Sequence, residues 1–228
     1  MNIPTYSRDV LEALPPIGAS FKGGFFNGLY VHDGKLKAQI SAPKAAGGHH
    51  APIEWGLRDL IEAARDRVDG ALGTQAMADA GSELAQWARA LRIDGRDDWH
   101  LPALMQLDRV YRMAKPTDDP NYCSWGDGEN SSSWPPAAAY TKQFPARTAL
   151  DPFLPDGPEA FEARGYWTAT QHPVSPSDAY VQYFDDGGQG WDRKYFEFGA
   201  VAVRSEVLCS FDYSLLVSLQ QLFDAEAA

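Results

Sequence analysis

Apolar residues recur every three or four positions in two segments, 84–91 and 104–111, which is the spacing of one buried helix face. Ser82 precedes the first segment and is predicted to be its N-cap, and Thr74 is predicted to cap an earlier helix. Pro102 stands where the second helix begins, at a position where a missing N–H costs nothing. The two segments therefore predict a pair of helices that pack on a sheet.

Shorter patterns predict strands. Asp33-Gly34 separates the apolar runs 25–31 and 36–40, which indicates a β-hairpin. Residues 43–56 are rich in Pro, Gly and His and are predicted to form a loop, and 57–68 are either a short helix or irregular. A long irregular segment, 116–164, follows the second helix. Three further strands are predicted at 166–170, 179–184 and 200–204, the last two linked by a Gly-rich turn.

The ends of the chain differ from this central pattern. Residues 1–17 are predicted to be an arm that Pro15-Pro16 separates from the domain. Residues 206–228 are predicted to contain an amphipathic helix, which Asp212 can cap. A helix this short is marginal alone, so its apolar stripe is expected to contact another subunit, as in a small trimer, or a neighbouring protein.

Four motifs occur in an order that resembles the Lcl C-terminal domain family. They are Asp97-Asp-Trp-His-Leu-Pro102, Gly165-Tyr-Trp-Thr-Ala-Thr-Gln171, Ala179-Tyr-Val-Gln-Tyr-Phe184 and Gly199-Ala-Val-Ala-Val-Arg204. The resemblance covers residues 18–205, and the segment after Arg204 departs from the family pattern.

The resemblance implies an α+β, C-type-lectin-like fold: a mixed or antiparallel sheet with two packed helices and long loops. It also implies a bacteriophage virion protein, at a tail tip or fibre, that binds a host cell-surface glycan or protein without a cofactor. The alternative it leaves open is a structural virion component that docks neighbouring tail proteins. An enzyme related to the formylglycine-generating fold is disfavoured, because Cys123 and Cys209 do not form a recognisable pair.

Composition narrows the classes of partner. A formal net charge of −11 opposes binding to nucleic acid or to anionic membranes. No apolar run is long enough for a membrane span, and the first residues lack the pattern of a signal peptide. Synthesis in a host cytoplasm followed by incorporation into a virion is therefore expected.

Neither catalysis nor metal binding has a sequence signature. Nucleophile-elbow, phosphate-loop and zinc-helix motifs are absent, so the chain is predicted not to be an enzyme. His49 and His50 are adjacent, and adjacent side chains of a strand point apart, which favours a solvated loop over a metal site. Acidic residues around Asp127 and Asp185 are read as turn formers or as calcium ligands, and calcium-free binding is expected.

The strongest candidate for recognition is the aromatic segment that begins at residue 179. Side chains alternate along 179–184, so Tyr180, Gln182 and Phe184 share a face, which is predicted to be exposed. Trp and Tyr provide large, rigid contact area, and ligand contact is weighed here against ordinary edge packing. In Tyr166, Trp167, Trp99 and Leu101 the structural role is favoured. The predicted ligand-binding residues are Gln182, Phe184, Asp185, Gln189, Trp191 and Tyr195.

Overall fold

The computed structural model describes residues 11–124 and 127–210, which form an α+β fold with three α-helices and two antiparallel, curled sheets. The helices are α1 (Ala71–Asp79), α2 (Glu83–Ala90) and α3 (Leu104–Ala114). The strands are β1 (Ser20–Phe21), β2 (Gly24–His32), β3 (Lys35–Ser41), β4 (His49–Glu54), β5 (Ser133–Trp134), β6 (Gly165–Gln171), β7 (Asp178–Tyr183), β8 (Gln189–Arg193), β9 (Glu197–Val201) and β10 (Val203–Ser210).

The first sheet has the order β1-β2-β3-β10, and β5 pairs with β2. Its centre is the predicted hairpin of β2 and β3, which the structure confirms. Asp33 and Gly34 form the turn with φ of 49° and 64°, so both central residues are left-handed, as a tight hairpin turn requires. The Asp-Gly dipeptide between two apolar runs was therefore sufficient to predict this hairpin.

The second sheet has the order β4-β9-β6-β7-β8 and is antiparallel except where β6 runs parallel to β9. The predicted strand at 200–204 belongs to both sheets, because the chain leaves the second sheet at Val201 and enters the first at Val203. Ala202 lies between the two strands and forms a hydrogen bond on each side. Its N–H donates to the Gly48 carbonyl, just before β4, and its carbonyl accepts from the Ala42 N–H, just after β3, each at 2.9 Å.

The helices follow the predicted stripes, with one wrong cap. The Ser82 hydroxyl accepts a hydrogen bond from the Ala85 N–H, which confirms the N-cap of α2. Thr74 is not a cap: it lies inside α1, where its hydroxyl donates to the Gly70 carbonyl at 2.8 Å. The helix begins at Ala71, one turn earlier than the Thr suggested, after the N-cap residue Gly70, which packs so closely on the Leu101 carbonyl that a side chain there would collide with it.

Two apolar clusters hold the helices on the second sheet. Helices α1 and α2 pack over β6 and β9 around Trp55 and Trp167, both fully buried. Helix α3 packs on the same sheet through a separate aromatic cluster that includes Tyr111, Phe161 and Phe184. Trp99 and Leu101, predicted to be structural, are also fully buried.

Several segments predicted to be irregular are ordered. Strand β4, His49–Glu54, lies within the predicted loop 43–56, and Glu62–Arg65 form a short 3-10 helix within 57–68, one of the two predicted alternatives. Strand β10 runs to Ser210, past the predicted domain end at 205. Most of the predicted arm and the predicted helix from Phe211 onward lie outside the described residues.

Candidate binding surface

Strands β7 and β8 place a group of aromatic side chains on the protein surface. Tyr180 lies directly opposite Trp191, with 6.1 Å between ring centroids. His172, just after β6, lies 5.0 Å from Trp191 and 6.4 Å from Tyr180. The Arg67 guanidinium stands 5.1 Å from the centre of the Tyr180 ring. These four residues are called the aromatic surface below, and its Trp191 side chain is 58% exposed.

Polar groups border the aromatic surface at both ends of β8. Arg193 forms an ion pair with Asp178 across the two strands at 3.2 Å. At the other end, the Gln189 N–H donates to an Asp127 carboxylate oxygen at 3.2 Å. Partial burial raises the pKa of Asp127 above its ordinary value. The surface therefore combines an apolar centre with hydrogen-bonding groups on its rim, the arrangement found in ligand sites.

The prediction that the whole Gln182 face of β7 is exposed is wrong. Gln182 and Phe184 are fully buried, because α3 and the segment around Tyr140 cover that end of the sheet. The Gln182 amide donates to the Tyr140 hydroxyl at 2.9 Å, and the Phe184 ring packs 5.2 Å from Tyr111. These two residues lie on the covered end of the face that carries Tyr180, so they cannot contact a ligand on the aromatic surface.

The remaining predicted site residues are at the surface but are not all together. Asp185 is exposed in the turn between β7 and β8, where its carbonyl accepts from the Thr117 hydroxyl at 2.5 Å. Gln189 is partly exposed at the start of β8. Tyr195, 46% exposed, belongs to a different place: it packs 4.9 Å from Phe196 and 5.4 Å from the Arg58 guanidinium.

Arg58 also lines a groove of about 600 Å³ between β4 and the start of α2. Apolar and acidic side chains contribute to this groove, whose rim carries Glu54, Glu83 and Glu197. No described contact joins it to the aromatic surface. Trp191 and Tyr195, which sequence reasoning had grouped, thus lie on separate features of the molecule.

Lys194 lies between these features and is buried. Its ammonium stands 4.1 Å from the centre of the Trp55 ring and donates to the Asp59 carbonyl and to the Gln171 side-chain oxygen, at 3.0 and 3.1 Å. Burial lowers the pKa of Lys194 to about 8, since nearby Asp59 and Asp178 only partly offset the loss of water. Lys194 is fully enclosed, so no substrate reaches it from outside in this conformation.

Sequence reasoning missed a buried polar cluster that joins the first sheet to the segments preceding α1 and α3. Asp69 accepts hydrogen bonds from the Tyr30 hydroxyl at 2.7 Å and from Lys37 at 2.6 Å, and the Tyr30 oxygen lies 2.7 Å from the Ser205 hydroxyl. Burial opposes ionisation of Asp69, but the neighbouring donors outweigh it and hold its pKa below the usual range. Burial also lowers the pKa of His100, 3.9 Å from Asp69, although the nearby Asp69 carboxylate acts in the opposite direction. Enclosure and mutual hydrogen bonding make this cluster a structural joint.

His49 and His50 lie in strand β4 and pack on aromatic rings. His49 packs 4.6 Å from Phe161, whereas His50 packs 5.1 Å from Trp87. The prediction of a solvated loop here is wrong, because both residues belong to β4, although the adjacent rings point apart as the alternation of a strand requires. Among residues 11–124 and 127–210, no three His, Cys, Asp or Glu side chains are grouped to hold a metal ion. Cys123 and Cys209 are both free.

Arg67 and His172 complete the aromatic surface and were not predicted, because each lies far from β8 in sequence. Each residue has a recognisable local position. His172 directly follows the Gly165–Gln171 strand. Arg67 lies in a turn closed by the Asp66 carboxylate, which accepts from the Val68 N–H at 2.7 Å. The pairing of β6 with β7 brings His172 beside Tyr180, and the Thr170 hydroxyl of β6 donates to the Asp66 carbonyl at 2.8 Å, which holds the turn with Arg67 nearby.

Comparison of the chain with protein-family models, with curated proteins and with solved structures finds no match. Among the described helices, none is long and apolar enough to cross a membrane.

Proposed function

We propose that this chain is a non-enzymatic binding module that recognises its ligand through the aromatic surface. The observation that carries the proposal is the exposure of Trp191, a large apolar side chain, at the centre of a strand and beside two further rings. Burying such an indole in a complex removes water from apolar surface, which is why Trp and Tyr dominate recognition sites.

Rigidity supports the same function. Tyr180 and Trp191 are held by strand pairing, and the Thr168 hydroxyl donates to the Tyr180 carbonyl at 2.9 Å from the strand on the other side. Next to Tyr180 on the same face, Gln182 is fixed by Tyr140. A ligand that stacks on this surface therefore orders few side chains, and little of the binding free energy is lost to entropy.

The biological setting of the proposal comes from the sequence motifs. Their resemblance to the Lcl C-terminal domain supports a C-type-lectin-like fold and a bacteriophage tail protein, made in the host cytoplasm, whose ligand is a host-surface glycan or protein. Under this proposal, the formal net charge of −11 disfavours nucleic acid as the ligand and therefore favours such a receptor instead.

The second candidate is a structural virion component that docks other tail proteins. The groove beside Arg58, with exposed Tyr195 and Phe196 next to it, is the observation that favours it, because it offers a contact region separate from the aromatic surface. The two candidates differ in which cluster of aromatic residues carries the interaction.

The test measures binding of the purified full chain to a glycan array and to intact host cells. Three variants are compared: Trp191→Ala, Tyr195→Ala and Phe144→Ala. Phe144 is 54% exposed and lies on neither feature, so it is the matched control for loss of a surface aromatic residue. We expect Trp191→Ala to remove binding while Phe144→Ala leaves it unchanged. Binding that survives Trp191→Ala and is lost with Tyr195→Ala would favour the docking candidate.

A further inference from the structure

One charged group of the aromatic surface has no partner of opposite charge. The Arg67 side chain is exposed, and its guanidinium stands 5.1 Å from the centre of the Tyr180 ring, a favourable cation–π contact. Among residues 11–124 and 127–210, the guanidinium forms no ion pair and donates no hydrogen bond. Because Tyr180 lies directly opposite Trp191, Arg67 places a free positive charge beside the exposed indole.

The carboxylates of the neighbouring segments are engaged elsewhere. Four of them have partners: Asp66 with His32 at 2.9 Å, Asp178 with Arg193 at 3.2 Å, Asp192 with the Tyr183 hydroxyl at 2.9 Å, and Asp127 with the Gln189 N–H at 3.2 Å. The Asp178–Arg193 pair, on the same face as Trp191, is neutral as a whole. The charge of Arg67 is therefore uncompensated, although the chain carries a net charge of −11.

His172 adds a second hydrogen-bond donor to the surface. Its Nδ1 accepts from the Val174 and Ser175 N–H groups, at 3.3 and 3.0 Å. A ring nitrogen that accepts carries no proton, so the proton of the neutral imidazole lies on Nε2. Within the part of the chain that the structure describes, Nε2 has no hydrogen-bond partner and can donate to a ligand. The ring lies 5.0 Å from Trp191.

The dimensions of the aromatic surface suit a sugar better than a folded protein. Neighbouring groups lie 5.0 to 6.4 Å apart, so the surface spans roughly 10 Å, or about two interstrand spacings. A stable protein interface covers about 800 Å² on each partner, far more than four side chains present. A sugar ring has an apolar C–H face that packs on an indole and oxygens that accept hydrogen bonds.

We infer that the ligand of the aromatic surface is an acidic sugar, with its ring stacked on Trp191, its carboxylate bound by Arg67 and a further oxygen bound by the His172 Nε2–H. This inference rests on the proposed function, because it names the ligand of the same surface. The planar guanidinium matches the two oxygens of a carboxylate. One carboxylate also balances the one free charge, whereas a phosphate ester would bring nearly two negative charges.

The test begins with an array that holds carboxylated, sulfated and neutral glycans together, to which we expect the full chain to bind only at carboxylated sugars. Calorimetry then compares a trimer of a uronic acid with the same trimer as its methyl ester, which keeps the size of the sugar and removes its charge. The ester should bind about 10- to 100-fold more weakly, since hydrogen bonds to a charged group are the strong ones.

Variants assign this preference to a residue. Arg67→Gln should weaken binding of the acid by the same factor and leave binding of the ester unchanged, so that the two affinities become similar. The matched control is Arg65→Gln, because Arg65 is also exposed but is paired with Glu62 at 3.1 Å. Arg65→Gln should keep the preference for the acid. Trp191→Ala should remove binding of both trimers.

The outcomes separate this inference from the proposed function. Equal affinity for the acid and the ester, an array without bound carboxylated sugars, or a preference that survives Arg67→Gln would overturn the inference. Neutral sugars that bind through Trp191 would leave the proposed function standing and remove only the acidic ligand. Carboxylated sugars that bind equally well to Trp191→Ala would refute both, because the aromatic surface would then not be the site.

Discussion

Lys194 offers a direct test of how burial sets a pKa in this fold. The ammonium has two oxygen acceptors and the face of Trp55 but forms no ion pair among the described residues. Its pKa of about 8 is below the ordinary value of 10.5, so the folded state releases this proton more easily than the unfolded chain does. Stability contributed by Lys194 must therefore rise as pH increases through this window.

The magnitude follows from the pKa difference. At pH 7 the charged, buried Lys194 costs up to about 3 kcal/mol relative to the unfolded chain, and by about pH 9.5 deprotonation has removed about 2 kcal/mol of that cost. Urea unfolding of the wild type at these two pH values should show this increase. Tyr166, Tyr183 and Tyr30 oppose this increase, because their pKa values are raised in the folded state and they ionise more easily in the unfolded chain, but each costs only about 0.2 kcal/mol at about pH 9.5.

The matched variants are Lys194→Met and Lys35→Met. Methionine at 194 cannot titrate, so the increase should disappear, although Gln171 and Asp59 lose a donor and lower the overall stability. Lys35 is exposed in the hairpin, and Lys35→Met should keep the full increase. An unfolding free energy of the wild type that is flat or falls between about pH 7 and pH 9.5 would refute the reasoning.

Three further predictions follow from the described side chains. Trp167→Ala should lower stability by about 3 to 5 kcal/mol, whereas Trp191→Ala should cost at most about 2 kcal/mol because more than half of its surface stays in water; equal costs in thermal or urea unfolding would place Trp191 in the core. Burial lowers the pKa of His49 to about 3, so stability that is fully present above about pH 6.5 should be lost as pH falls toward 3, by about 3 kcal/mol at about pH 4.5, and His49→Gln should remove this part of the acid sensitivity. Chelator should leave the melting temperature unchanged, and a clear decrease with EDTA would reveal a bound ion.

Local patterns predicted the elements whose signals are themselves local. The Asp33-Gly34 turn, the Ser82 cap and the helix after Pro102 each depend on a few adjacent residues, and each is found. Strand β4 was missed because Pro52 and Gly-rich flanks resemble a loop, while its pairing with β9 is set by residues far along the chain.

The candidate surface was predicted only in part for a related reason. Alternation along β7 correctly put Tyr180, Gln182 and Phe184 on one face, but alternation does not say how far a covering helix extends. Helix α3 covers the end with Gln182 and stops short of Tyr180, so one face is core at one end and surface at the other. The grouping of Trp191 with Tyr195 failed because the chain turns between them at Lys194.

The passage of one segment through both sheets has a consequence for how the protein unfolds. Because β9 and β10 are joined only by Ala202, neither sheet can lose this segment without disturbing its partner strands in the other. Amide protons of β3 and of β6 should then exchange with solvent at one common rate rather than as two independent populations. Strand β3 pairs with β10, which is synthesised much later. The hairpin of β2 and β3 therefore lacks this neighbouring strand until most of the chain has left the ribosome.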